Sequence, residues 1–168
     1  LEYIQVKSGP HEKNIWDESK HREENLKFAL TGGLTVEFWL NKTEFVTSKT
    51  QKEVIFDLWN GKHFNDTEYG RFRIELSPGA AFRLTALSGT SGFHDAPVGE
   101  TVTPSIVSNS DWSHYAFSLY NTGSSVLVEM YRDGVFIESM TTGSAIGHVT
   151  GTMIANIGAL RTPPRNTS

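Results

Sequence analysis

The stretch from Asp111 to Met140 constrains the fold of this chain more than any other part of the sequence. It contains three runs of β-forming residues, Trp112–Tyr120, Val126–Arg132 and Val135–Met140, and turn residues separate each run from the next. The last turn is Asp133-Gly134, and a two-residue turn of this kind needs positive φ at both central positions. The pattern therefore predicts a three-stranded antiparallel meander, around which a sheet must form.

The rest of the chain adds further short strand-like runs, several of which alternate apolar and polar residues. They are Leu1–Val6, Leu26–Leu30, Leu34–Leu40, Val54–Trp59, Arg71–Leu76, Ala81–Leu87 and Met153–Leu160. No amphipathic helical pattern accompanies them. About ten short strands with one apolar face each predict an all-β sandwich of two antiparallel sheets, whose outer faces meet water.

Composition limits the partners of this chain. The 168 residues suffice for one domain, predicted at 1–160, with a linker-like tail at 161–168. A net charge of −4 without basic clusters argues against nucleic acid, and no apolar run is long enough to insert into a membrane. The absence of cysteine excludes a thiolate metal site. Because the first residue is Leu1 rather than Met, we expect a piece of a larger chain or assembly.

Four segments, in order along the chain, carry a family resemblance. LTVEFWL at Leu34–Leu40 resembles the "sFTvEfWvk" strand of the laminin-G-like / concanavalin A-like lectin–glucanase superfamily. DWSHYAF at Asp111–Phe117 is similar to its "d-x-W-H-H-V-A" strand. VEMYRDG at Val128–Gly134 resembles its "l-x-l-Y-v-D-G" hairpin, and Asn156–Gly158 resembles its closing "l-x-I-G" strand. Ser113 replaces one family His, and Arg132 stands where an apolar residue is usual.

The resemblance implies a concanavalin A-like jelly roll of two curved antiparallel sheets, with ligands bound on a concave face and at rim loops. The superfamily includes lectins, adhesion modules, glycosidases, polysaccharide lyases and structural spacers, so the fold does not decide the function. If the chain uses a metal cofactor, the resemblance implies one Ca²⁺ at the rim. Asp66 and Asp95 are then its candidate ligands, because calcium prefers carboxylate oxygens.

A glycosidase site is not evident in the sequence. Retaining β-glucanases of the superfamily carry E-x-D-x-x-E on one strand, and their catalytic carboxyls lie about 5 Å apart. The nearest candidates, Glu53 and Asp57, would stand roughly 13 Å apart on an extended strand. Glu37 and Glu75 form a pair only if the fold brings their strands together. We therefore expect no catalytic activity, with a glycosidase or lyase as the less favoured alternative.

Two turn-rich segments, Asn60–Gly70 and Ser88–Pro104, are predicted as long loops, and recognition is expected in Asn60–Gly70 and Ser88–Glu100. Their polar and aromatic residues are the candidate ligand-binding residues. These are Trp59, His63, Asn65, Asp66, His94 and Asp95. Glu37 and Trp39 share one face of their strand and are a second candidate for holding a sugar; the alternative is that a loop or the other sheet covers Trp39.

The sequence thus favours a non-catalytic, lectin-like module that binds carbohydrate. Its expected location is the cell surface, the extracellular space or a virion surface. The alternative is a structural module for protein–protein interaction or cell adhesion in a viral or bacterial surface assembly. The expected partner is accordingly a glycan or a protein.

Overall fold

The computed structural model describes residues 4–7, 28–45, 52–78, 82–149 and 153–159. These contain ten strands and one four-residue helix, α1 at Pro104–Val107. The strands are β1 Ile4–Lys7, β2 Leu34–Asn41, β3 Glu53–Trp59, β4 Gly70–Leu76, β5 Phe82–Ser88, β6 Ser91–Val98, β7 Trp112–Thr122, β8 Ser125–Arg132, β9 Val135–Thr142 and β10 Ile154–Ile157. The predicted tail at 161–168 lies outside the described residues.

The strands form two antiparallel sheets. The six-stranded sheet has the order β1-β10-β3-β4-β5-β6, and the four-stranded sheet has the order β2-β7-β8-β9. All pairings are antiparallel, which confirms the predicted all-β sandwich. No helix among the described residues is both long enough and apolar enough to cross a membrane.

The predicted meander is present as β7, β8 and β9. The turn between β8 and β9 has positive φ at both Asp133 (50°) and Gly134 (77°), as a two-residue hairpin turn requires. The Asp133 carboxylate accepts a hydrogen bond of 2.8 Å from the backbone N–H of His114, and the Asp133 N–H donates to the His114 carbonyl at 2.8 Å. The turn is therefore also tied to β7.

The prediction of one long loop at Ser88–Pro104 is wrong. Ser91–Val98 within this segment is β6, the edge strand of the six-stranded sheet, and α1 begins at the end of the segment. The pairing of β6 with β5 shifts between Leu84 and Ala86, and Asp95 adopts a φ of 56° there. This irregularity, together with the small and polar residues of an edge strand, hides the period-two pattern in the sequence.

The core lies between the two sheets. Alternate residues of each strand face it, such as Phe72 and Ile74 on β4 and Phe117 and Leu119 on β7, and all four are fully buried. Phe28 and Leu30 join this core although they precede β2 and lie in no strand. The prediction of a strand at Leu26–Leu30 is therefore wrong for its described residues, which are core anchors in a loop.

Each sheet also has an outer face, and the two outer faces differ. On the six-stranded sheet, the outward positions of β4 hold Arg71 and Glu75, which are buried although the alternation predicts a half-exposed strand. On the four-stranded sheet, the outward positions of β2 and β7 hold Trp39 and Trp112, which are exposed. We call the first the charged face and the second the aromatic face.

Candidate functional site

The aromatic face consists of the outward side chains of the four-stranded sheet. Strand register decides its membership, because residues paired across antiparallel strands lie on the same side of the sheet. Trp39 pairs with His114, and Asn41 pairs with Trp112. Two residues further along the strands, Glu37 pairs with Ala116. Ala116 in turn pairs with Tyr131 on β8, and Tyr131 pairs with Phe136 on β9. The residues that alternate with these along β7 and β8 point to the other side of the sheet, and the apolar ones are buried in the core.

Two tryptophans stand out on this face. The side chains of Trp39 and Trp112 are 64% and 66% exposed, which is unusual for the largest apolar side chain. They are diagonal neighbours in the register, a separation of roughly 7–8 Å. The alternative that Trp39 is covered is therefore wrong. Its ring is available to a ligand.

Trp39 has a histidine and a carboxylate beside it. Its ring centroid lies 5.3 Å from that of His114, at an interplanar angle of 49°. The His114 Nε2 atom lies 3.5 Å from the Glu37 Oε2 atom, and the Glu37 side chain is 70% exposed. An aromatic plane, an imidazole and an exposed carboxylate thus converge on one patch. This set can hold the apolar face of a sugar ring and accept hydrogen bonds from its hydroxyl groups.

The other end of the aromatic face is built by β8 and β9. The rings of Tyr131 and Phe136 meet edge to face with centroids 5.6 Å apart, and Phe136 is 51% exposed. The Tyr131 hydroxyl donates to Glu129 at 3.2 Å. Partial burial and this hydrogen bond raise the pKa of Tyr131, so the phenol stays protonated and remains a donor at neutral pH.

The predicted recognition loop Asn60–Gly70 is a real and well-ordered loop between β3 and β4. Asn60 holds it closed. Its amide donates to the Glu68 carbonyl at 2.6 Å, and its side-chain oxygen accepts the N–H of Gly70 at 3.0 Å. Lys62 and Glu68 form an ion pair of 2.9 Å across the loop. The loop is therefore shaped by its own residues before any ligand binds.

Within this loop, the predicted ligand-binding residues occupy different environments. His63 and Asn65 are exposed, and Asp66 accepts the N–H of Glu68 at 2.9 Å as an Asx turn. Trp59 is only 3% exposed, and its Nε1–H donates to the Lys62 carbonyl at 2.8 Å. Trp59 therefore supports the loop from beneath and presents no face to solvent.

The exposed aromatic residue of this loop is one that the sequence analysis did not single out. Phe64 is 66% exposed, and its ring lies 4.4 Å from that of His63. The loop tip thus exposes one aromatic ring that lies outside the aromatic face.

The remaining predicted residues, His94 and Asp95, lie on β6 rather than in a loop. His94 is exposed. The Asp95 carboxylate receives Arg83 Nε at 2.8 Å and also contacts Lys52 Nζ. Burial alone would raise the pKa of Asp95, but the hydrogen bonds from Arg83 and Lys52 outweigh it and lower the pKa to about 2.

The two predicted calcium ligands lie in different elements of the six-stranded sheet. Asp66 lies in the loop that precedes Gly70, at the start of β4. Asp95 contacts Arg83, which pairs with Glu75 near the other end of β4. Gly70 and Glu75 are five residues apart, roughly 16 Å along the strand. No group of three His, Cys, Asp or Glu side chains in the described part of the chain is arranged to hold a metal.

The carboxylates of the charged face are each paired with an arginine. Asp57 is fully buried and accepts two hydrogen bonds from Arg71, at 2.7 and 2.9 Å. The Arg71 guanidinium also lies 5.5 Å from the Trp59 ring centroid. Burial alone would lower the pKa of Arg71, and the contact with Asp57 raises it. Glu75 lies 3.0 Å from Arg73 Nε.

Neither carboxylate pair considered from the sequence forms. The register of β3 shifts between Val54 and Phe56, so Glu53 pairs with core-facing Leu76 while Asp57 faces outward. This bulge breaks the alternation that would place Glu53 and Asp57 on one face. Glu37 and Glu75 belong to different sheets, on opposite outer faces of the sandwich.

Sequence reasoning found Trp39 and Glu37 and missed their neighbours Trp112, Tyr131 and Phe136. The alternation of residues along a strand was available as a signal, since Trp112 and His114 alternate with Tyr115 and Phe117. Alternation alone does not say which of these two aromatic sets faces the core. Cross-strand register supplies that answer.

Two antiparallel sheets packed face to face around one core, with only one short helix among the described residues, define an all-β sandwich of the jelly-roll class. The model of the concanavalin A-like lectin/glucanases superfamily matches residues 17–167. The chain therefore belongs to this superfamily.

Other comparisons add little detail. Among solved structures the fold is similar to a β-glucanase of Bacillus licheniformis, with a TM-score of 0.44 and 15% sequence identity. The similarity covers 79% of this chain and 56% of the glucanase chain, so this chain spans little more than half the length of that protein. A comparison with curated proteins found no match.

Proposed function

We propose that this domain is a non-catalytic carbohydrate-binding module and that the patch of Trp39, His114 and Glu37 is its primary binding site. The observation that carries the proposal is the exposure of Trp39, at 64%, beside an imidazole and an exposed carboxylate. Exposing a large aromatic ring to water costs free energy that a bound sugar ring would recover. A module of this kind acts where glycans are presented, at a cell surface, in the extracellular space or on a virion.

The absence of catalysis is part of the proposal. Its support is that Asp57 is held by Arg71 and that Glu75 lies against Arg73. A carboxylate whose oxygen atoms are already engaged by an arginine has less capacity to contact the reacting atoms of a substrate.

A second candidate function is protein docking. It is favoured by Val135 and Phe136, which are 63% and 51% exposed at the end of the β8–β9 hairpin. Apolar side chains grouped at a hairpin tip are typical of protein contacts. This candidate places a protein at the tip of the β8–β9 hairpin, where Phe136 belongs to the aromatic face and Val135 points to the other side of the sheet.

The first prediction tests the proposed function. The protein and its Trp39→Ala variant are applied to a glycan array, with calcium and with a chelator. We expect the unmodified protein to bind one class of sugar, and Trp39→Ala to lose at least tenfold in affinity, about 1.4 kcal/mol. The loss follows from removal of the stacking plane.

The matched control is Phe64→Ala, which removes an equally exposed ring from the Asn60–Gly70 loop. We expect it to bind like the unmodified protein. Loss of binding in Phe64→Ala but not in Trp39→Ala would move the site to the loop. Absence of binding to any glycan by folded protein would favour the docking function.

A further inference from the structure

We propose that the aromatic face binds a linear, uncharged polysaccharide along its length, with the sugar chain running across the strands from Trp39 to Phe136. The inference rests on the proposed function and adds the chemical class and the direction of the ligand.

The direction follows from the positions of the aromatic rings. Trp39 lies on β2, Tyr131 on β8 and Phe136 on β9, so the rings cross all four strands of the sheet. A strand spacing of about 4.8 Å and a rise of about 3.3 Å per residue place the Cα atoms of Trp39 and Phe136 roughly 16 Å apart. This distance exceeds one sugar ring and matches several consecutive rings.

The surface beside this row of rings is polar. Ala116 lies at its centre and pairs with Glu37 on one side and Tyr131 on the other. At the next outward positions of β2 and β7, the hydroxyl groups of Thr35 and Ser118 are hydrogen-bonded at 3.1 Å. These hydroxyl groups and the Glu37 carboxylate can form hydrogen bonds with sugar hydroxyls.

Both aromatic ends of this row are exposed. Trp39 and Phe136 are 64% and 51% exposed, so among the described residues neither ring is covered by protein. A row of exposed rings can contact the interior of a long polymer, whereas recognition of a chain end requires a closed pocket. The fit is therefore to a polysaccharide rather than to a terminal sugar.

Charge selects against acidic glycans. The ionisable outward side chains of β2, β7, β8 and β9 are Glu37, His114, Tyr120, Glu129 and Tyr131, and none of the outward positions of these described strands holds Lys or Arg. Asp133 lies at the end of the hairpin. Arg132, at the end of β8, points to the opposite side of the sheet, where it contacts Ser113 and Asp133. Uronate or sulfate groups would meet carboxylates without compensating cations.

The test is a calorimetric titration with neutral β-linked oligosaccharides of increasing length. Cello-, manno- and N-acetylchito-oligosaccharides are compared from disaccharide to hexasaccharide, together with polygalacturonate and chondroitin sulfate as acidic polymers. We expect one neutral series to bind, with affinity rising at least tenfold from disaccharide to hexasaccharide. We expect the acidic polymers to bind at least tenfold more weakly.

Three variants separate this inference from the proposed function. Trp39→Ala should weaken the binding of oligosaccharides of every length. Phe136→Ala should weaken the binding of the hexasaccharide at least fivefold and leave the binding of the disaccharide unchanged. Phe64→Ala should change the binding of neither. Equal affinity for disaccharide and hexasaccharide, or preferential binding of the acidic polymers, would overturn the inference while a Trp39-dependent sugar site stands. No binding of any glycan would overturn both.

Discussion

Asp95 shows at the residue scale how neighbours decide what a carboxylate can do. Its position beside His94 in a polar segment suggests a metal ligand, but the folded chain places it against Arg83 and Lys52. A carboxylate that two cations already neutralise has little left to offer a calcium ion. The same side chain instead fixes the irregular edge strand to β5.

This ion pair makes stability depend on pH. The pKa of Asp95 falls from 3.8 to about 2 on folding, so the folded state favours the ionised form. The contribution is therefore fully present above about pH 4 and is lost as the pH falls through about 2. We expect Asp95→Asn to lower the free energy of unfolding by about 2 kcal/mol at pH 7, with little difference from the unmodified protein near pH 2.

Urea denaturation of both proteins across pH 7 to 2 measures this difference. The matched control is Asp111→Asn, an exposed aspartate whose replacement should change stability by less than about 0.5 kcal/mol at any pH. If the difference in stability between Asp95→Asn and the unmodified protein stays constant with pH, the ionised Asp95 carboxylate is not the source of the difference.

At the element scale, turns and bulges decide how the strands meet. The β5–β6 pairing brings Gly92 against the backbone of β5, and a Cβ atom there would lie 2.0 Å from the Ala86 carbonyl oxygen. In the β8–β9 turn, Gly134 has open space within 4 Å of its Cβ position. Both glycines have positive φ, 105° and 77° respectively. Both positions therefore need a left-handed backbone, but only Gly92 lacks room for a side chain.

The pair gives a prediction. Gly134→Ala should cost about 1 kcal/mol, the penalty of a left-handed backbone alone. Gly92→Ala should cost at least about 3 kcal/mol, because its methyl group also collides with the main chain of β5. Thermal unfolding of the two variants measures the difference, and equal losses would show that the approach of the two strands is looser than described.

At the scale of the whole molecule, one core joins the two sheets. Phe82 on β5 packs against Tyr115 and Phe117 on β7, with ring centroids 4.8 and 5.1 Å apart. Glu138 on β9 further links the sheets, because its carboxylate accepts the backbone N–H groups of Gly99 and Glu100 after β6. A sheet that shares its apolar face with the other cannot unfold alone without exposing that face.

We therefore expect the predicted domain at 1–160 to unfold in a single cooperative transition. Calorimetry should give equal calorimetric and van't Hoff enthalpies, and the binding variant Trp39→Ala should leave the midpoint within about 2 °C, since its side chain is exposed. Two resolved transitions would show that the sheets are separate cooperative units.

The sequence by itself determined the class of fold and most of the strands, but not β6, which it predicted as a loop. The meander follows from the alternation around Asp133-Gly134, and the core side of Leu34–Leu40 follows from its own apolar residues. Both are local properties, because side-chain direction alternates along a strand whatever the strand pairs with. The register with β7 is what added Trp112 and His114 to the candidate site.

Only the tertiary structure decided which predicted residues meet a ligand. Trp39 and Trp59 both end apolar strands, yet the first is exposed on the aromatic face and the second is buried beneath a loop. The bulge in β3 separated Glu53 from Asp57, and the assignment of strands to sheets separated Glu37 from Glu75. Exposure and proximity depend on contacts between residues far apart in the chain, and the period of a single strand carries no information about them.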